Sequence, residues 1–169
     1  MGLIQAVIVR QMFDVIVEPM GARLAALLEA LMRVSSAIVV VVQDQLGLEQ
    51  TGAALIARLE PHLLDRKRAA SWPGTVLVGH LATVLRFAAN EAVLREISTA
   101  TRALYSWRQP ALPEDLSFVH EDGTAIFTSI AHEKEAYFEL TDEEYESLAR
   151  TLPWFSALVR RRPTDGDRD

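Results

Sequence analysis

The polar side chains that could do chemistry are concentrated between Leu116 and Leu140. Two of the four histidines, His120 and His132, lie in this segment together with several carboxylates. Histidine can exchange a proton near neutral pH and can bind a metal ion. This segment is therefore the first candidate for a functional site.

His132 is followed directly by Glu133, as in the helix of a zinc protease. That motif needs a second histidine four residues after the first, and here the position is occupied by Ala136. A solvated turn is therefore the favoured interpretation, since turns usually lie at the surface. We predict no catalytic residue; in an enzyme, a hydrolase centre would combine His132 and Glu133 with a distant residue such as His80.

An Asp122-Gly123 pair between alternating apolar residues is the strongest local structural signal, because a type I′ turn needs two positive φ angles. A second turn at Glu133-Lys134 would complete a three-stranded antiparallel meander over residues 116–140. The two turns predict pairing of Phe118 with Phe127 and of Ser129 with Phe138, with the three phenylalanines on the core face and Ile126 on the other face. This register places His120 and His132 at opposite ends of the middle strand, roughly 20 Å apart. Metal ligands lie within about 2.0 to 2.6 Å of one ion, so the sequence predicts no metal site and no cofactor.

The two turns of this meander are acidic. Glu121 and Asp122 lie in the first turn, Glu133 and Glu135 flank the second, and Tyr137 follows. Catalytic carboxylates must converge in a cleft with different pKa values, and adjacency in sequence does not establish this. We expect these residues to form an acidic surface that binds a partner.

A second candidate contact surface lies near the C-terminus, where Trp154 and Phe155 precede Leu158 and Val159. Exposed apolar patches commonly mark association surfaces. The cluster could equally fold back onto the core. In the first case, Trp154 and Phe155 would contact a partner or a second copy of the chain.

Composition excludes several classes of protein. The 169 residues are 50% apolar and carry a net charge of -6, which argues against non-specific nucleic-acid binding. There is no cysteine, so disulfides and cysteine-ligated metals are excluded, and a cytoplasmic location is expected. A membrane-spanning helix needs a run of about 18 apolar residues, and no apolar run in this sequence approaches that length. We expect neither a membrane span nor a signal peptide. Nucleotide-binding glycine loops and serine nucleophile elbows are also missing from the sequence.

Interleaved helical and strand patterns predict an α/β or α+β fold with a single mixed sheet and flanking helices. Residues 37–42 form a continuous apolar, β-branched run, which is typical of a strand buried on both faces. The meander over about 116–140 is followed by a helix at 141–152. Its start carries a capping box, in which Thr141 and Glu144 satisfy each other's backbone donors. Asn90 is predicted to cap another helix, and the basic run 66–68 is predicted to lie at the end of a helix.

Three parts of the chain are distinguished. Residues 1–19 are interpreted as an N-terminal amphipathic extension, because apolar residues between Leu3 and Val17 recur at helical spacing. A strand ending at Pro19 is the alternative. Residues 20–159 form a single α/β domain, and the charged residues 160–169 are predicted to be a disordered tail.

Four segments resemble a pattern in small bacterial proteins of unknown function. They read EPHLLDRK, SWPGT, YSWRQPALPEDLSF and DGTAIFTSIAHEKEAYFELTDEEYESL, so the resemblance spans about Gly21 to Leu152. It implies no established activity, cofactor or catalytic residue. The segment Leu112–Asp115 and the Asp122-Gly123 turn are also similar to small immunity proteins that neutralise toxins.

The leading hypothesis from sequence is a non-enzymatic protein-binding module, either immunity-like or a regulatory accessory protein, with a protein partner. A small hydrolase centred on His132 and Glu133 is the first alternative. A structural subunit of a larger assembly is the second, with homo-oligomers formed through the N-terminal helix or through Trp154-Phe155.

Overall fold

The structure, a computed structural model, describes residues 6–167 of the chain. Within these residues the chain forms ten strands: β1 (Gln11–Val15), β2 (Ala37–Val42), β3 (Leu63–Ala69), β4 (Ser71–Trp72), β5 (Thr75–Val76), β6 (Ala82–Ala88), β7 (Glu114–Val119), β8 (Ala125–Ile130), β9 (Glu135–Leu140) and β10 (Val159–Arg161). The α-helices are α1 (Ala22–Val34), α2 (Gln50–Leu59), α3 (Glu91–Ala100), α4 (Asp142–Thr151) and α5 (Phe155–Leu158).

Eight of these strands form one sheet in the order β10-β1-β9-β8-β7-β2-β6-β3, and β4 and β5 form a separate hairpin. All pairings among the described strands are antiparallel, so the sheet is not mixed. β2 lies in the interior between β6 and β7, as its uninterrupted apolar run predicts.

The helices pack on one face of the sheet. Residues of all five helices join a large core with alternate strand residues, such as Ile38 and Val40 of β2. The other face carries a smaller core, in which Val39 and Val41 of the same strand pack with Trp72 of the β4–β5 hairpin. The predicted α/β fold with one sheet and flanking helices is therefore confirmed.

The predicted N-terminal helix is wrong over the described part of the segment. Residues Gln11–Val15 form β1, which pairs with β9 on one side and β10 on the other. Phe13 is buried and stacks on Tyr145 at a centroid distance of 4.8 Å. Pairing with two strands outweighs the helical spacing, which β-branched residues support weakly. Residues 1–5 of the predicted extension lie outside the described residues.

The predicted tail begins too early. Residues Val159–Arg161 form β10, which pairs with Phe13, Asp14 and Val15 of β1. Arg162 continues this contact through an ion pair with Asp14. Backbone pairing therefore orders the first residues of a segment whose composition suggests disorder; residues 168–169 lie outside the described residues.

The meander forms as predicted, but both turns are longer. The first is a three-residue loop between His120 and Thr124, with a φ of 86° at Gly123. Phe118 pairs with Phe127 as predicted. At the second turn Phe127 pairs with Phe138, two residues from the predicted register, which keeps both rings on their predicted face. Ile126 was predicted on the other face, but it packs in the same core as Phe127, because the β7–β8 register shifts beside it.

The helix caps agree with the sequence. Asn90 accepts a hydrogen bond from the Val93 amide at the start of α3, and the Thr141–Glu144 capping box begins α4. The basic run 66–68, in contrast, lies in the edge strand β3 rather than at a helix end. Among the helices described between residues 6 and 167, none is long and apolar enough to cross a membrane.

Candidate functional site

β7 begins with two adjacent acidic residues, Glu114 and Asp115, which are both buried. The β2–β7 register shifts between Val39 and Val41, opposite this point. Asp115 has a φ of 57°, a left-handed conformation that aspartate adopts more readily than most residues. A bulge of this kind changes the direction in which side chains point, and it allows two neighbouring carboxylates to approach each other.

Asp115 connects three elements through its carboxylate. The Trp72 Nε1 of the β4–β5 hairpin donates to Oδ2 at 2.9 Å, and the Ala131 amide after β8 donates to Oδ1 at 3.0 Å. Burial raises the pKa of Asp115, and these hydrogen bonds partly oppose the rise. The carboxylate therefore fixes both the hairpin and the β8–β9 turn against β7.

Only one of the two carboxylate oxygens of Glu114 accepts a hydrogen bond in the described part of the chain. Its Oε1 accepts a hydrogen bond from the backbone N–H of Gln109 at 2.8 Å. Its Oε2 is buried and has no hydrogen-bond donor within the described part of the chain. Burial raises the pKa of Glu114 as well. A buried carboxylate oxygen without a donor is costly, and it calls for a proton or a cation.

His132 completes a cluster with these two acids. It lies in the short 3₁₀ turn Ala131–Glu133, which the Ala131–Asp115 hydrogen bond anchors. One atom each from Glu114, Asp115 and His132 can be chosen so that all lie within 4.8 Å of one another. The imidazole is exposed, whereas the carboxylates are buried. The cluster therefore combines two buried carboxylates with one solvent-accessible nitrogen ligand.

A cavity of about 300 Å³ adjoins the cluster. Gln109 lines this cavity, and hydrogen bonds hold its side chain in place. Its Nε2 donates to the backbone carbonyls of Gln43 and Gly47, and its Oε1 accepts from the backbone N–H of Gln43. Glu114 and His132 both line the cavity, and the exposed Arg108 lies at the same cavity. The remaining lining residues are Gln43 and Leu46.

The donor set suits a particular class of metal. Two carboxylates and one imidazole offer oxygen and nitrogen ligands, which Zn²⁺, Mn²⁺ and Fe²⁺ accept together. Ca²⁺ and Mg²⁺ prefer oxygen ligands alone. Ligands about 2.1 Å from one ion are at most about 4.2 Å apart. Because the three ligand atoms lie within 4.8 Å of one another, binding needs at most a small inward movement, which the exposed imidazole can make.

No family model, curated protein or solved structure matches this chain.

The predicted hydrolase set is only partly brought together. His132 lies in the cluster, but its partners are Glu114 and Asp115. Glu133 is exposed, with its Oε1 3.6 Å from His132 Nε2. His80 lies in the exposed loop between β5 and β6 and does not line the cavity.

The predicted acidic surface is divided between the two ends of β8. Glu121 and Asp122 lie at the β7–β8 turn, where they line a groove of about 380 Å³ beside the β4–β5 hairpin. Glu133 and Glu135 lie at the β8–β9 turn. Tyr137, in β9, has the Arg162 guanidinium over its ring at 5.4 Å. These residues thus form two separate surfaces.

The C-terminal aromatic pair folds onto the core. Phe155 is fully buried and packs edge-on against Phe138 at 5.1 Å. Trp154 is half-buried, with the Arg23 guanidinium 5.6 Å from its ring centroid. Phe155 is therefore not available for contact with a partner in this structure.

His120 and His62 each lie beside a residue that caps a helix. His120 Nε2 lies 3.1 Å from Oε1 of Glu144, the capping-box residue of α4. His62 Nδ1 lies 3.1 Å from the side-chain nitrogen of Asn90, which caps α3. Each histidine thus joins a loop to the start of a helix.

Proposed function

We propose that the protein binds a divalent transition-metal ion through Glu114, Asp115 and His132 and acts through that centre. The observation that carries the proposal is the buried Oε2 of Glu114, which has no donor in the described part of the chain and belongs to a residue lining the cavity. Two buried carboxylates close together disfavour each other's charged forms. A divalent cation would offset both charges at once.

The neighbouring structure supports this assignment. Asp115 is held by two donors, and His132 lies in a turn whose backbone is attached to Asp115. Groups that position ligands in this way are a usual part of metal sites. The absence of cysteine fits a reducing compartment, which supports a cytoplasmic site of action with an oxygen- and nitrogen-ligated ion.

Calorimetric titration with Zn²⁺ and with Mn²⁺ tests the proposal. We expect one ion per chain, and we expect His132→Ala to weaken binding by at least about 100-fold, because loss of supporting groups alone costs 10–100-fold. His80→Ala is the matched control, since His80 is exposed and lies away from the cavity. Equal binding by the two variants, or no binding by the wild type, would contradict the proposal.

A second candidate function is protein binding, as an accessory or immunity-like module. It is favoured by an exposed apolar segment that runs from β5 into the loop before β6, where Val76 is 76% exposed, Val78 90% and Leu81 50%. Exposed apolar groups concentrated in one segment often mark an association surface. The groove lined by Glu121 and Asp122 lies beside the β4–β5 hairpin.

Affinity purification from the native host tests this candidate. The wild-type chain is expected to retain a partner that the Val76→Asp/Val78→Asp variant loses. Glu133→Lys/Glu135→Lys is the control, because those residues lie at the β8–β9 turn. Identical recoveries from all three baits would reject this surface. Sedimentation of the purified chain would distinguish a monomeric binder from a self-associating structural subunit.

A further inference from the structure

The proposed metal centre has an open side that faces the adjoining cavity. Asp115 directs its two oxygens to Trp72 and Ala131, whereas Glu114 and His132 line the cavity. Three protein ligands leave at least one coordination position for another molecule, as in catalytic zinc sites. That position would lie on the cavity side of the ion.

Charge at the cavity favours an anion once the ion is bound. A divalent ion, two carboxylates and a neutral imidazole sum to zero, and Arg108 adds one positive charge. Arg108 is exposed, and its guanidinium has no ion-pair or hydrogen-bond partner in the described part of the chain. Its charge acts on Glu114, whose pKa it lowers slightly against the effect of burial. The ion, its three ligands and the residues that line the cavity thus sum to one positive charge, in a chain of net charge -6.

The shape of the arginine head group narrows the ligand class. A guanidinium presents a planar fork of donors that matches the paired oxygens of a carboxylate or a phosphate. The side chain of Gln109 is already committed to the Gln43 and Gly47 backbone. Arg108 is therefore the charged group at the cavity that remains free to bind a ligand.

The size of the cavity suits a small ligand. Its volume of about 300 Å³ lies at the lower end of the range for ligand sites. Leu46 provides one apolar wall beside the polar groups. A compact oxyanion with a small body fits this space.

We propose that the metal-loaded centre binds a small oxyanion, with one anion oxygen on the ion and the others on the Arg108 guanidinium. This inference rests on the proposed metal site. It assigns to Arg108 a role in binding a ligand and none in holding the metal.

Nuclear magnetic resonance relaxation of the phosphorus nucleus of inorganic phosphate, measured in the presence of Mn²⁺-loaded protein, tests the inference. Bound Mn²⁺ is expected to shorten the phosphorus relaxation times at protein concentrations where free Mn²⁺ is negligible. Arg108→Gln is expected to weaken phosphate binding by at least 10-fold while leaving Mn²⁺ affinity within twofold. Arg95→Gln, on the exposed face of α3, is the matched control and should behave as the wild type.

Competition by acetate, with chloride as the reference, separates the two oxyanion classes. Displacement of phosphate by acetate at similar concentrations would assign a site for oxyanions in general, and failure of acetate would assign one for phosphate. Mn²⁺ binding without any phosphate or acetate effect would overturn this inference and leave the metal site standing. Failure of Mn²⁺ to bind would overturn both. Equal phosphate binding by the Arg108 and Arg95 variants would also overturn the role of Arg108.

Discussion

Glu114 and Asp115 have different surroundings although they are neighbours in the chain. Asp115 uses both carboxylate oxygens as acceptors, one for Trp72 and one for Ala131. Glu114 uses one oxygen for the Gln109 amide, and the other is buried without a donor. Replacing each acid by its amide should therefore have opposite effects on stability.

Glu114→Gln is expected to stabilise the metal-free protein by on the order of 1 kcal/mol, because it removes a buried charge and keeps an acceptor for Gln109. The same change should weaken metal binding strongly. Chemical denaturation with and without Zn²⁺ measures both effects. A variant that is less stable than wild type in the absence of metal would show that the carboxylate is needed for folding.

Asp115→Asn is expected to destabilise the metal-free protein by about 1–3 kcal/mol, since an amide has a single acceptor oxygen and one of the two donors loses its partner. For a chain of this size, each kcal/mol lowers the melting temperature by roughly 2–4 °C. Thermal unfolding followed by circular dichroism measures the change. Glu133→Gln, at an exposed position of the adjoining turn, is the control and should melt with the wild type.

The acidic pair could not be identified from the sequence. In the sequence Glu114 and Asp115 follow a proline-containing connector, and a regular strand would direct them to opposite faces. What brings them together is the bulge against β2 and the positive φ at Asp115, both of which depend on tertiary pairing. His132 could be named as a candidate, but its partners lie 17 and 18 residues earlier in the chain.

The β4–β5 hairpin matters to the site because it carries Trp72, a donor to Asp115. Gly74, at its turn, has a φ of 82°, and a Cβ added there would lie 2.7 Å from Thr128 Cγ2 and 3.0 Å from Ile130 Cγ1. The hairpin therefore lies in close contact with β8. Displacing it should disturb both the smaller core and the acidic cluster.

Gly74→Ala is expected to destabilise the protein by about 1–3 kcal/mol more than Gly79→Ala. Both glycines have a positive φ, but a Cβ at Gly79 would meet no atom within 4 Å, so the pair separates the contact with β8 from backbone strain. Urea unfolding of the two variants measures the difference. Equal losses of stability would mean that close packing of the hairpin against β8 does not determine the cost of a side chain at Gly74.

The elements that the sequence predicts well are those governed by local rules. The caps at Asn90 and Thr141 depend on side chains within three residues, and the apolar run of β2 needs no partner to be recognised. The helix predicted at β1, for which a strand was the alternative, and the disorder predicted at β10 are both wrong because each strand depends on pairing with a distant part of the chain. Phe127 and Phe138 lie on their predicted face because the β8–β9 register moved by two residues, and a shift of one would have put them on opposite faces.

The whole molecule is a sheet with two unequal faces. Helices cover one face, and the small hairpin covers part of the other. The acidic cluster forms where the hairpin, the bulged start of β7 and the β8–β9 turn meet. The proposed centre is therefore a product of tertiary structure, which explains why adjacent residues in the sequence do not reveal it.

The central claim is that Glu114, Asp115 and His132 bind one transition-metal ion. Anomalous diffraction from crystals grown with Mn²⁺ locates the ion directly. We expect one peak per chain, about 2.0–2.3 Å from a carboxylate oxygen of each acid and from a nitrogen of His132. A peak confined to other acidic residues, or no peak at this cluster at saturating Mn²⁺, would contradict it.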